Sequence, residues 1–191
     1  NKIIKVKNTF STLNNFAKFT RNMSSAQVIG ITGSVGKTTL KNLISFTLKN
    51  YGKVYHSPHS YNNRFGVPLS LSNLKVNDDF GVFEIGMDKK GEINKLSKIV
   101  RPKIAVITNI SEAHIGNFNS LKGIAKAKSE IIDNVLDGGD VVLNKDDKFF
   151  NFLYKKANKR KLNIKSFSCN KKADIFLLKK KKFKTYYKLK I

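Results

Sequence analysis

The sequence predicts an α/β fold: a mostly parallel β-sheet with helices on both faces and a β-hairpin region at the C-terminal side. Three observations predict it. Short apolar runs without polar alternation recur at Val28–Thr32, Val82–Ile85, Ala105–Ile110 and Val141–Leu143, as in strands buried on both faces. Segments with apolar residues at helical spacing lie between these runs, which argues for right-handed crossovers between parallel strands. A glycine-rich stretch, "GITGSVGKTTLKN" at 30–42, joins the first run to the first helical segment.

That junction is where a glycine-rich turn aims backbone N–H groups and a helix N-terminus at phosphate oxygens. The fold is therefore expected to be P-loop-containing, with Gly33, Ser34, Val35, Gly36, Lys37, Thr38 and Thr39 as the nucleotide cradle. Gly33 and Gly36 allow close approach and positive φ, Lys37 is long enough to reach the outer phosphates, and the Thr38 hydroxyl suits magnesium. The spacing departs from the general G-x-x-x-x-G-K-[ST] pattern, because Ile31 stands five residues before Gly36.

Further along, Leu40, Leu43, Ile44, Thr47 and Leu48 form the first helical stripe, and Ile93, Leu96, Ile99 and Val100 the second. A third helix, starting near Ser120, has Leu121, Ile124, Ala125, Ile131, Ile132 and Val135 on one face, and Lys128 interrupts that face. A lysine there is either paired or neutral inside the protein, or snorkels its amine to solvent. Glu84 stands at the carboxyl end of the second apolar run, a surface carboxylate by position alone or a hard oxygen ligand, and His114 follows the third run at the same edge of the sheet, a solvated or capping residue or a ligand. His56 and His59 read as solvated or capping residues, and Asn62 and Asn63 as turn formers before Gly66 and Pro68. Asn109 closes its strand within reach of a nucleotide or of a substrate. At the C-terminal side, Ala173–Leu178 and the alternation Phe183, Thr185, Tyr187, Leu189, Ile191 predict a hairpin with one wet face, joined by a solvated turn at Lys179–Lys182.

Composition narrows the function classes. The formal charge of +24 raises nucleic acid or an anionic surface as a partner. All but four of the 37 basic residues are lysines, and they lack the interleaved arginines and aromatics of a base-stacking surface, so nucleic acid is not the expected partner. No apolar run approaches the ~20 residues of a membrane span. One cysteine, Cys169, rules out an internal disulfide and fits a reducing cytoplasm.

The shorter pattern G-x-x-G-K-T-T resembles the phosphate loop of the Mur ligase superfamily. "YNNRFGVPLSL" at 61–71, "FEIGMDKKGEINKLSKIVRP" at 83–102, "ITNISEAHIGNFNSLKGIAKAKSEI" at 107–131 and "NKDD" at 144–147 are similar, over roughly residues 5–185, to blocks of its branch acting in peptidoglycan synthesis. The resemblance implies an ATP- and magnesium-dependent ligase that joins UDP-N-acetylmuramoyl-tripeptide to D-alanyl-D-alanine through an acyl phosphate. It implies catalytic roles for Lys37, Glu84, His114 and Lys128; magnesium ligation by Thr38, Glu84, His114 and a carbamylated Lys128; and substrate contact by Asn62 and Asn63. It also implies that residues 1–25 are a remnant of an N-terminal domain and linker. Residues 26–191 are then the central ATP-binding domain, truncated at its C-terminal side, with the C-terminal ligase domain absent. Within the superfamily a folylpolyglutamate synthetase stays open; outside it, so does a basic P-loop NTPase acting on nucleic acid.

Overall fold

A computed structural model describes residues 3–112, 118, 120–183 and 187–191. The helix α1 (Thr9–Met23) precedes the first strand, β1 (Gln27–Thr32); then come α2 (Lys37–Leu48), β2 (Val54–His56), α3 (Gly66–Leu71), β3 (Phe80–Glu84), α4 (Glu92–Val100) and β4 (Ile104–Ile107). The second half adds α5 (Leu121–Lys128), a 3₁₀ segment Ser129–Asn134, β5 (Asp140–Asn144), α6 (Phe150–Lys159), β6 (Asn163–Ser168), β7 (Ile175–Phe176), β8 (Lys179–Lys182) and β9 (Tyr187–Lys190). Seven strands form one sheet in the order β2-β3-β1-β4-β5-β6-β7, and every pair in it is parallel. The expected α/β architecture is therefore the observed one. With β3 and β4 flanking β1, the chain leaves the centre of the sheet in both directions. The crevice at the carboxyl ends of these three strands is the natural ligand position.

The two sheet faces carry different helices. Val28, Phe83, Ala105, Ile107, Val141 and Leu143 face a large core shared with Ala17, Leu71, Leu96, Ile124 and Ile131. Ile29, Ile31, Val82 and Val106 face the other way, against Leu40, Ile44 and Leu48 of α2. Gly30 allows close packing: a Cβ there would lie 3.3 Å from both Ile131 Cδ1 and Pro102 Cβ.

Three expectations need correction. On α2, Leu40, Ile44 and Leu48 of the expected stripe do pack on the sheet, but Lys41 and Ser45 complete the inward arc in place of Leu43, which is 59 % exposed, and Thr47, which is also exposed. The third helix is α only to Lys128 and tightens to 3₁₀ over Ser129–Asn134, although its apolar face continues through Ile131, Ile132 and Val135. The hairpin exists, but its partners differ. Lys179–Lys182 is a strand rather than a turn, antiparallel to Tyr187–Lys190, and Ile175–Phe176 extends the main sheet beside β6.

The helix α1, which no stripe announced, packs on α3 and α4. Its Arg21 is 5 % exposed and donates to the carbonyls of Val100 (2.8 Å), Ser24 (3.2 Å) and Arg101 (3.0 Å), so one guanidinium caps the end of α4 and fastens α1 to it. No helix among the described residues is long and apolar enough to cross a membrane.

Candidate active site

The loop after β1 is held on the edge of β4. Ser34 N–H donates to the Asn109 carbonyl (2.9 Å) and Val35 N–H to Asn109 Oδ1 (3.1 Å), while Thr108 Oγ1 donates to the Val35 carbonyl (2.7 Å). Ser34 Oγ donates to the Ser111 carbonyl (3.0 Å) and accepts its N–H (2.9 Å). Ser34 and Val35 thus both give their amides to Asn109, two residues past β4, which has the loop as its partner. Glycine is required at 33, where φ is 147° and a Cβ would come within 1.8 Å of Thr108 Oγ1. Gly36, at φ 83°, is the N-cap of α2, and a Cβ there would meet nothing within 4 Å. Leu40 N–H bonds the Gly36 carbonyl (3.0 Å), which leaves the amides of Lys37, Thr38 and Thr39 pointing out of the helix start into that open space. A positive helix end facing open space is an anion seat.

Two lysines reach this loop from opposite faces of the sheet. Lys37 Nζ from α2 and Lys128 Nζ from α5 each donate to the Gly33 carbonyl at 3.0 Å. Lys128 is 2 % exposed, so its amine is inside and does not snorkel. Burial first, then the charge of Lys37, lowers its pKa from 10.5 to about 8. Lys37 is also pulled down by burial, against the opposing pull of Glu84.

Glu84 ends β3 with 1 % exposure and both oxygens engaged. Oε2 accepts from Thr38 Oγ1 (2.8 Å) and Oε1 from Asn62 Nδ2 (2.7 Å), and Thr38 Oγ1 lies 3.2 Å from Ser60 Oγ. Asn62 reaches the carboxylate because Gly86 makes room: a Cβ at 86 would lie 2.8 Å from Asn62 Oδ1, and Gly86 N–H donates to the Asn62 carbonyl (2.7 Å). Asn63 uses Oδ1 to accept the N–H of Phe65 (3.0 Å) and Gly66 (2.9 Å), opening α3. A cavity of about 400 Å³ adjoins the loop, lined by Lys37, Asn62, Asn63, Glu92 and Lys128 among others.

The structure thus gathers Gly33, Gly36, Lys37, Thr38, Glu84, Asn62 and Lys128 from four separate segments. His114 lies outside the described residues. Among the described residues no group of three or more His, Cys, Asp or Glu side chains could hold a metal. The hard donors present are the Glu84 carboxylate and the Thr38 and Ser60 hydroxyls. Such a set fits magnesium, which takes one or two carboxylates and completes its shell with water and phosphate. Sequence reading missed Ser60, Lys41 and Asp147. Asp147 lies in the quoted "NKDD" block; its Oδ2 accepts Ile110 N–H (2.6 Å) and its Oδ1 accepts Phe149 N–H (2.8 Å), fixing the turn beyond β4.

Comparison with known proteins gives the family. Residues 31–190 match the Mur ligase middle domain. UDP-N-acetylmuramoyl-tripeptide--D-alanyl-D-alanine ligase from Rickettsia prowazekii is 38 % identical over 178 residues, which is 93 % of this chain and 40 % of that protein. A crystal structure of MurF from Acinetobacter baumannii superposes with a TM-score of 0.90 at 31 % identity, over 97 % of this chain and 40 % of that one. The MurF ligase of Thermotoga maritima in complex with ADP gives 0.85 at 28 % identity, over 99 % and 44 % respectively. The chain spans about two fifths of the length of these relatives. With the phosphate loop, the strand-end glutamate and the buried lysine inside the matched span, the chain belongs to the Mur ligase family, whose middle domain it carries.

Proposed function

We propose that the chain is the ATP- and magnesium-binding core of an ADP-forming ligase that adds D-alanyl-D-alanine to UDP-N-acetylmuramoyl-tripeptide in peptidoglycan synthesis. One observation carries the reading: Lys37 and Lys128 meet at the Gly33 carbonyl while Thr38 bonds Glu84, all beside the open end of α2. The relatives named as this ligase, and the relative solved with ADP, support it. ATP supplies the phosphoryl group that makes a carboxylate reactive toward an amine, and magnesium neutralises its charge.

The chain's own residues have these tasks. The amides of Lys37, Thr38 and Thr39 and the Lys37 ammonium receive phosphate oxygens, which lets Lys37 leave the Gly33 carbonyl for a stronger, charged acceptor. Thr38 and Glu84 present oxygens to the metal, with His114 as a further ligand. Asn62 holds the carboxylate and, with Asn63, lines the cavity that takes the muramoyl peptide. Lys37, Lys41 and Lys128 bring three cationic side chains to the loop and Glu84, as a triphosphate needs. Lys128, with its pKa near 8, has a neutral fraction at neutral pH that can attack carbon dioxide; the new N–C bond and loss of one proton give a carbamate anion that orients magnesium.

Peptide-dependent ADP release by the full-length protein tests the reading. Release that requires both the muramoyl tripeptide and D-alanyl-D-alanine is the expected result; release only with a folate and glutamate, or on addition of DNA, overturns it. The carbamate is tested with ¹³C-bicarbonate: a carbamate carbon resonance present in the wild type and missing from Lys128→Met is expected.

A further inference from the structure

Lys41 lies one turn beyond Lys37 on α2, is 1 % exposed, and is one of the largest fully buried side chains among the described residues. Among the described residues no carboxylate lies within ion-pair distance of its amine. Burial lowers its pKa and the nearby Glu84 partly opposes this. A buried ammonium costs more than an apolar side chain of the same length, so packing alone does not account for a lysine here. Its Nζ donates to the backbone carbonyl of His59.

That carbonyl sits at the midpoint of the segment 57–62. Ser57 N–H bonds the Val82 carbonyl (3.0 Å) at one end, and the Asn62 carbonyl accepts Gly86 N–H (2.7 Å) at the other. Between them His59 adopts φ 46°, an uncommon conformation for a non-glycine residue, within a turn in which Tyr61 N–H bonds the Pro58 carbonyl (3.3 Å). Just after it come Ser60, beside Thr38, and Asn62, on Glu84. We propose that Lys41 is a positioning residue: its buried ammonium fastens the midpoint of this segment to α2 and so sets where Ser60 and Asn62 meet Thr38 and Glu84. The inference rests on the nucleotide site proposed above and adds that the phosphate-loop helix and the Asn62–Asn63 loop are one mechanical unit, joined through the Lys41–His59 contact.

The test compares wild type with Lys41→Met, similar in length and without charge, and with Lys41→Arg, which keeps a donor. Hydrogen exchange is read by peptide, and ADP binding is titrated against MgCl₂. For Lys41→Met the expected result is faster exchange confined to 57–65, and a rise of roughly tenfold in the magnesium needed for half-maximal ADP binding, the usual effect of losing a residue that orients a metal ligand. Lys41→Arg should move both readouts back toward wild type. Unchanged exchange in 57–65 overturns the proposal. So does faster exchange spread through α2 and the sheet in both variants, which would make Lys41 a packing residue. If even the wild type binds no ADP, the proposed function fails, while the exchange measurement still decides the positioning role.

Discussion

Lys37 and Lys128 share one acceptor, and that arrangement fixes what each loses on substitution. Lys37 is the only one of the pair that can swing to a phosphate without leaving an interior position. Lys37→Ala should lower turnover of the full-length ligase by roughly 10²–10³, the range seen when a charge-stabilising donor is removed, and leave the melting temperature nearly unchanged. Near-normal turnover would remove Lys37 from the reaction. Lys128, where its amine carries no carbamate, bears on stability as well. Its folded pKa, about 8, lies below the unfolded 10.5, so the unfolded chain binds more protons between these values and stability rises with pH across that window. Below pH ~8 the cost of the buried ammonium is fully present, on the order of 3 kcal/mol. Lys128→Met should therefore melt higher than wild type at pH 7, and the gap should shrink as pH rises from 8 toward 10.5. Melting curves at pH 7 and pH 10 check the sign.

At the scale of elements, the turn from β1 into α2 separates two kinds of glycine. Gly33→Ala drives a Cβ into the Thr108 hydroxyl that holds the Val35 carbonyl, so both the loop and its β4 support must shift. Gly36→Ala meets no atom and bears only the left-handed backbone cost, roughly 1–2 kcal/mol. Calorimetric ADP binding should therefore be lost in Gly33→Ala and weakened less in Gly36→Ala. The tie between α1 and α4 is equally specific: Arg21→Ala strands three carbonyls and should destabilise by roughly 2–4 kcal/mol, measured by denaturant unfolding. Elements differed in how far the sequence disclosed them. The central strands were legible because burial on both faces leaves an unbroken apolar run, and Lys128 because it interrupts a clean stripe. Strand β2 is three half-buried residues, and β6 alternates with exposed positions, so neither leaves such a run. Lys41 stayed hidden for a physical reason: α2 turns Lys41 and Ser45 inward beside Leu40, Ile44 and Leu48, and a search for apolar residues alone places Leu43 inside and Lys41 out. Glu84 and Asn62 lie 22 residues apart, and their contact is a product of the β2–β3 pairing, which local patterns do not contain.

For the whole molecule the dominant physical fact is charge. At +24 the fold works against its own repulsion, and the two ion pairs recorded among the described residues, Lys156–Asp133 (2.7 Å) and Arg160–Asp137 (3.2 Å), neutralise little of it. Raising NaCl from about 10 mM to 150 mM shortens the screening length from ~30 Å to ~8 Å and should raise the melting temperature; a fall would mean that attractive pairs dominate. The lysine strand β8 shows the same charge put to a local use. Its register sets Lys179 opposite Lys190 and Lys181 opposite Lys188, so one face of the ribbon is entirely cationic. Like charges opposite each other weaken the ribbon itself. They also deny its edge to any newcomer: a strand from a second molecule would have to bring its backbone alongside a row of ammonium groups and, if it were another copy of β8, add four more. The ribbon gives up some cohesion and in return keeps crowded copies of the chain from zipping into extended sheets, a safeguard that concentrated salt would switch off.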